Sequence, residues 1–369
     1  MRPEAVAAMV PFLSETFGNA SGLHAAARAA KTALEEAREQ VAAALHAEPG
    51  EVVFTSGGTE ADNLALKGAA RAARDAGGGD GVVTTAFEHK GVLTSCDRLE
   101  HEGFDVRRVG VDAGGILDLD ALAVALDDRT VVVSVMLVNN EVGTVQPLAA
   151  VAALVRERAP GALLHTDAVQ AVPWLDVGPA SIDAGLVAIS AHKFGGPKGV
   201  GALVARRGAP LAPLIEGGGQ ERNRRSGTSN VAGAVAMATA LRITAERREE
   251  EVARAGALRD RLVAGLAETV TGSFFNGDAA RKVAGNCHVG FKGVEAEALL
   301  VMLDREGVAA AAGSSCSSGA TEPSHVLAAM GLAPEDALAS IRLSLGYAST
   351  AADVEAALRV IPGAVERLR

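Results

Sequence analysis

The sequence predicts an α/β protein, with a large domain over residues 1–245 on a mainly parallel sheet and a smaller α+β domain over 246–369. Three observations predict it. Short β-branched runs alternate with longer alanine-rich stretches of helical period, the pattern of parallel strands covered on both faces. A helical stretch from Asn230 to about Ala267 turns highly charged near residues 247–251, as a connection between two units would. The 369 residues, 49% of them hydrophobic, are enough for two buried cores.

In chain order, strands are expected at 51–54, 81–85, 130–138, 162–166, 185–190 and 201–205, each a short apolar or β-branched run. Amphipathic helices are expected between them, among others at 61–74, 118–126 and 147–157. The charge run at 247–251 is most simply the solvated face of its helix. In the second domain, strands near 286–291 and 340–345 lie between helices. Residues 309–320 form a stretch rich in Ala, Gly and Ser.

Composition narrows the partners. A net charge of −10 argues against direct binding of nucleic acid or an anionic membrane. The basic cluster Arg222, Arg224 and Arg225 reads as dimer or loop electrostatics. Three scattered cysteines do not make a disulfide scaffold, which points to a reducing, cytoplasmic location. The first residues lack an apolar signal core, and the run 131–138 is far shorter than the roughly 20 residues of a membrane helix. No metal site is expected.

Three motifs carry chemistry. In Phe54-Thr55-Ser56-Gly57-Gly58-Thr59-Glu60-Ala61 a strand ends, small residues turn the chain, and a helix begins at about Thr59. Open amides beside a hydroxyl make an anion cradle suited to a phosphate. The segment is neither a Walker loop nor a dinucleotide fingerprint, and alone it would equally be an ordinary turn. In Leu164-His165-Thr166-Asp167-Ala168-Val169-Gln170, Asp167 stands at a strand's carboxyl end, facing the crevice where parallel sheets bind ligands. Taken alone it would also read as a helix cap. In Ala188-Ile189-Ser190-Ala191-His192-Lys193-Phe194-Gly195-Gly196, another strand delivers Ser190, His192 and Lys193 into a glycine-rich loop. An amine beside an aspartate and a phosphate cradle is what pyridoxal phosphate requires. The lysine forms a Schiff base with it, and the aspartate keeps the pyridine nitrogen protonated.

Further motifs follow in order: Glu88-His89-Lys90, Val138-Asn139-Asn140-Glu141-Val142-Gly143, Gly217-Gly218-Gly219-Gln220-Glu221-Arg222, Arg225-Ser226-Gly227-Thr228, Gly313-Ser314-Ser315-Cys316-Ser317-Ser318-Gly319, Glu322-Pro323-Ser324-His325 and Ile341-Arg342-Leu343-Ser344-Leu345-Gly346. With the first three, they resemble the group I cysteine desulfurases (NifS/IscS type), in the class V branch of the aminotransferase fold, over nearly the whole chain. The resemblance implies the fold type I architecture of pyridoxal-phosphate enzymes, a homodimer, and L-cysteine as substrate. It also implies a sulfur-accepting or scaffold protein, in iron–sulfur cluster assembly or tRNA thiolation.

By the same resemblance, Gly58, Thr59, Ser190 and His192 would hold the phosphate, and the partner subunit's Thr228 would reach it. His89 would stack on the cofactor ring and move protons. Asp167 would pair with the pyridine nitrogen, Gln170 would contact the phenolic oxygen, and Lys193 would carry the cofactor. Asn140 and Arg342 would bind the substrate carboxylate. Cys316 would be the nucleophile that takes the sulfur as a persulfide, leaving alanine.

The residues themselves support parts of this. An arginine fork suits a carboxylate through two parallel hydrogen bonds, as Arg342 requires. Cys316 sits among serines and glycines that cannot pack a core, which predicts an accessible loop, whereas Cys96 and Cys287 read as structural. Two features depart from the family pattern. The chain begins at Met1-Arg2-Pro3-Glu4, after the expected short strand and Ala-Thr-Thr-Pro-like turn, and Tyr347 stands where an arginine is expected. The competing readings are a selenocysteine lyase, another class V aminotransferase-type enzyme, or a non-catalytic relative that binds the cofactor.

Overall fold

A computed structural model describes residues 1–313 and 323–369. Seven strands form the larger sheet: β1 (Val52–Thr55), β2 (Gly81–Thr85), β3 (Asp105–Val109), β4 (Thr130–Ser134), β5 (Leu163–Asp167), β6 (Leu186–Ser190) and β7 (Gly201–Ala205), in the spatial order β1-β7-β6-β5-β4-β2-β3. Only β7 runs against its neighbours; the other pairings are parallel. The mainly parallel sheet expected from the sequence is therefore present.

The side chains show why these runs must be covered on both faces. Val52, Phe54, Val83, Val133, Val187 and Ile189 join one buried cluster, while Val53, Val82, Val132, Leu186 and Ala188 join another. Successive residues of a strand point to opposite faces, so continuous apolar runs need a core on each side.

The edge strand β3 escaped the sequence reading because Asp-Val-Arg-Arg-Val has no apolar run. Its arginines lie at the rim, where Arg107 pairs with Asp105 and Asp127, and Arg108 with Asp97 and Glu100. The run 130–138 is another departure. The strand stops at Ser134, and residues 135–138 stay buried but leave the regular ladder on their way to the turn at Asn139. There Asn139 Oδ1 accepts the backbone N–H groups of Glu141 and Val142.

The second sheet is antiparallel, with β8 (Ser273–Phe275), β9 (Asn286–Phe291), β10 (Ala311–Ala312) and β11 (Ser340–Ser344) in the order β10-β11-β9-β8. Its own core includes Val289, Phe291, Leu299, Ile341 and Ile361. The helix Val231–Thr269 serves both units: Val231 to Leu241 bury residues in the first core, and Leu262 and Leu266 in the second. Asn230 caps it by accepting the N–H of Gly233, as its side-chain oxygen allows. Cys96 and Cys287 are buried in the two units, and burial pushes both thiols up to about 12, consistent with a packing role. Among the described residues, no helix is long and apolar enough to cross a membrane.

Candidate active site

The carboxyl ends of β1, β5 and β6 open into a cavity of about 700 Å3, closed on the far side by β11 of the smaller sheet. Gly58, Thr59, His89, Asn140, Asp167, Gln170, Ser190, His192, Lys193 and Arg342 all line it. Ten residues singled out from the sequence thus meet in one place. Thr228 does not join them: it is exposed and lies at a different pocket, beside Thr55, Ser56 and Arg225. Cys316 lies outside the described residues.

The cradle is built by close approach. The helix starts at Gly58, one residue from the start near Thr59 read from the motif and three before the amphipathic stretch 61–74, because Gly57 turns the chain at φ 153. A Cβ at Gly58 would lie 2.7 Å from Val169 Cγ2 and 3.5 Å from Ser190 Cβ, so only glycine lets the helix start against β5 and β6. Ser190 Oγ lies 2.9 Å from His192 Nδ1, which keeps both side chains at the same opening. Glu60 closes the turn: its carboxylate accepts the N–H of Ser56 and is held by Arg225. After β6, a turn of 3-10 helix over Ala191–Phe194 presents Lys193 to the cavity and ends on Gly195 in the left-handed region.

Beneath the cavity lies a group of acids. Asp167 Oδ1 accepts the N–H of Val169, so the cap reading holds in part, yet its charge also faces His89 and Lys193. Burial raises its carboxyl above the usual range, and those two neighbours oppose the rise. Glu88 accepts from Thr85 Oγ1 and from the N–H of Met136, and burial pushes it up to about 8. Asp62 is 1% exposed. One oxygen each of Asp62 and Asp167 and one ring nitrogen of His89 lie within 4.8 Å of one another. His89 Nδ1 accepts the N–H of Gly91, which leaves the ring proton on Nε2.

On the opposite wall, Arg342 Nη1 donates to the carbonyl of Asn140 at 2.8 Å, and Asn140 Oδ1 is buried without a partner among the described residues. Among the described residues the other nitrogens of the Arg342 fork have no hydrogen-bond partner, which leaves them for an anion. Behind them, Glu141 accepts from Ser324 Oγ at 2.5 Å. Burial pushes its carboxyl up to about 7, against the Ser324 hydrogen bond, Arg342 and Lys90.

These donors fit pyridoxal phosphate: a glycine cradle with hydroxyls for the phosphate, a buried carboxylate for the ring nitrogen, and an amine between them. Sequence reasoning assigned no role to Asp62, Glu88, Glu141 or Ser324. For Asp62 a signal was present, since it stands one helical turn after Gly58 and so shares the cradle's face. The others depend on contacts between distant segments, which spacing cannot show.

Comparison with known proteins agrees with this site. The family model "Aminotransferase class-V" matches residues 1–357. The chain is 48% identical to an "IscS-like cysteine desulfurase" of Mycobacterium tuberculosis over 376 residues, covering 100% of this chain and 94% of the relative. It is 42% identical to a "Cysteine desulfurase IscS" of Methanosarcina thermophila over 369 residues, covering 100% and 90%. A solved structure titled "NIFS-LIKE PROTEIN" superposes with a TM-score of 0.93 at 34% identity, covering 100% of this chain and 97% of the other.

Proposed function

The chain belongs to the aminotransferase class-V family, and from that premise we infer that it is a pyridoxal-phosphate-dependent cysteine desulfurase, taking sulfur from L-cysteine and leaving L-alanine. The observation that carries the reading is the convergence of His89, Asp167, Lys193 and Arg342, from four separate stretches, on one cavity.

When bound, pyridoxal phosphate supplies the electron sink that lets bonds to the substrate carbon break. The amides of Gly58 and Thr59, with Ser190 and His192, hold its phosphate. The Asp167 carboxylate would keep a proton on the ring nitrogen, and Gln170 would contact the phenolic oxygen. Lys193 would hold the cofactor covalently and is placed to move the substrate α-proton. His89 takes part through Nε2, the nitrogen not engaged by Gly91. Arg342 and Asn140 hold the substrate carboxylate. The Cys316 thiolate would attack the substrate sulfur: an S–S bond forms, the C–S bond breaks with its electron pair left on carbon, and that carbon takes up the proton the thiol gave up, so the fragment leaves as alanine. An acceptor protein then takes the sulfur, for iron–sulfur cluster assembly or tRNA thiolation.

A homodimer belongs to the same proposal. Thr228 sits exposed away from its own cavity, which supports a role across an interface, and Leu13, Phe17 and Leu23 are exposed apolar residues available to form one. So does the division into a cofactor-holding unit, residues 1–245, and a unit of residues 246–369, supported by the two separate cores. A cytoplasmic location completes it, supported by the need to keep the Cys316 thiol reduced until it attacks the substrate sulfur.

The test is Cys316→Ala. It should keep cofactor binding and the spectral response to L-cysteine while losing persulfide and alanine, and after one wild-type turnover mass spectrometry should find the sulfur on the Cys316 peptide. Sulfur on Cys96 or Cys287, or undiminished alanine release by Cys316→Ala, would overturn the reading.

A further inference from the structure

We propose that Asp62 is a positioning residue of this site, holding a proton beneath the Asp167–His89 pair so that the buried negative charge rests on Asp167. The inference deepens the reading above by assigning a role to a residue outside its cofactor contacts.

The groups around Asp62 come from several elements, among them the helix Lys90–His101, which brings Lys90 and Asp97 to the same cavity. The segment after β2 brings Glu88 and His89, β5 brings His165 and Asp167, and the turn after β6 brings Lys193, whose charge acts on Asp167. Three carboxyl groups therefore share one buried space, with the Lys193 amine and the His89 ring on the cavity wall beside Asp167. They cannot all be ionised, because like charges at short range and low dielectric oppose one another.

Hydrogen bonds decide where the charge goes. Asp167 has the Val169 N–H, and Glu88 has Thr85 Oγ1 and the Met136 N–H. Asp62 Oδ1 is buried and has no donor among the described residues. Glu88 Oε2 is likewise buried without a partner, but Asp62 has no hydrogen-bond donor to either oxygen among the described residues, so it is the most costly of the three to ionise and keeps its proton.

The proton has an acceptor. Asp62 Oδ1 lies 3.6 Å from His165 Nε2, which also lacks a hydrogen-bond partner. His165 Nδ1 lies 2.9 Å from Ser134 Oγ, and burial drives this imidazole down to about 3, so it is neutral; in the tautomer whose Nδ1 donates to Ser134, Nε2 faces Asp62 as a lone pair. The electrostatics agree: burial raises the Asp62 carboxyl well above its usual range, and Asp167 and Glu88 raise it further. With Asp62 neutral, the field of Asp167 is not doubled by a second charge beside it, and one carboxylate faces one pyridinium.

The experiment is infrared difference spectroscopy on the apoprotein at pH 7, wild type minus Asp62→Asn, with the tested carboxyls labelled with carbon-13. The expected result is loss of the carbonyl stretch of a protonated acid, with the ionised carboxylate bands unchanged. Loss of a carboxylate band instead overturns the proposal. Should Asp62→Asn fail to fold, Asp167→Asn gives an independent reading. With the competing charge removed, Asp62 should ionise more readily, so its protonated band should vanish at a lower pH than in wild type. An unmoved band overturns the proposal. Neither measurement needs turnover, so it stands apart from the desulfurase assay, whose failure would leave the position of this proton untouched.

Discussion

The guanidinium of Arg2 lies over the ring of Tyr347, 4.3 Å from its centroid, while two of its nitrogens hold the Glu251 carboxylate at 2.8 and 2.7 Å. Its Nε donates to the carbonyl of Phe194, the residue after Lys193. The second residue of the chain thus joins the lysine turn, the long helix and the segment that follows Arg342. Tyr347, out of pattern in the sequence, is the platform for this contact.

Arg2→Ala would remove that junction and leave Glu251 facing a gap. Arg2 is 3% exposed, so the loss resembles breaking a buried pair, about 3 kcal/mol of unfolding free energy. Arg2→Lys should recover only part of it, because an ammonium has neither the fork nor the plane. Urea unfolding measures both, and an Arg2→Ala midpoint equal to that of wild type would show the junction to be inert.

Gly58→Ala would drive a methyl group against Val169 Cγ2. Overpacking of this kind costs about 1–3 kcal/mol, and here the helix start must move away from the phosphate. Affinity for pyridoxal phosphate should drop about tenfold or more, read by fluorescence titration of the apoprotein. Adding Val169→Ala should restore most of it.

Asp167→Asn should fold and still take up the cofactor, because the amide oxygen can keep the Val169 hydrogen bond. Turnover should fall about 10³-fold, since a neutral amide cannot hold the pyridinium proton. Near-normal turnover would reduce Asp167 to a cap.

Buried imidazoles give a pH dependence of stability. Burial brings His288 down to about 3, and its Nδ1 meets Asn276 Nδ2. Below its ordinary value near 6.5 the unfolded chain takes up a proton that the folded chain refuses, so this contribution is complete above that value and is lost as pH falls towards 3. Glu141 and Glu88 act in the opposite direction. Their raised carboxyls make folding less favourable as pH rises from about 4.5 towards 7 and 8. The difference between wild type and His288→Gln cancels the acids. The mutation should cost most at pH 7, and the cost should shrink by about 1.4 kcal/mol per pH unit below 6.5. A pH-independent cost would mean the two states protonate alike.

Much of the fold was legible because strands covered on both faces must be apolar throughout, as in Leu186–Ser190, and few other arrangements produce such runs. The strand Asp105–Val109 was not, because an edge needs charge more than grease. At the site, Lys193 and Asp167 announced themselves by standing at strand ends. Glu88 and Glu141 did not, since what defines each is a partner far along the chain, Met136 for one and Ser324 for the other. Burial of a carboxyl is a property of the assembled core and has no local spelling.

Glu221, Arg222 and Asn223 stand in succession at φ 47, 57 and 64, a left-handed stretch without glycine. Arg38 grips the Glu221 carboxylate with two nitrogens, and Phe54 at the root of β1 donates its N–H to the same group. The backbone cost of that shape is therefore met within one chain, before any second copy arrives. For the dimer proposed above, the loop that carries Thr228 has little ordering entropy left to lose on association. Docking becomes closer to the meeting of two finished surfaces than to folding upon contact.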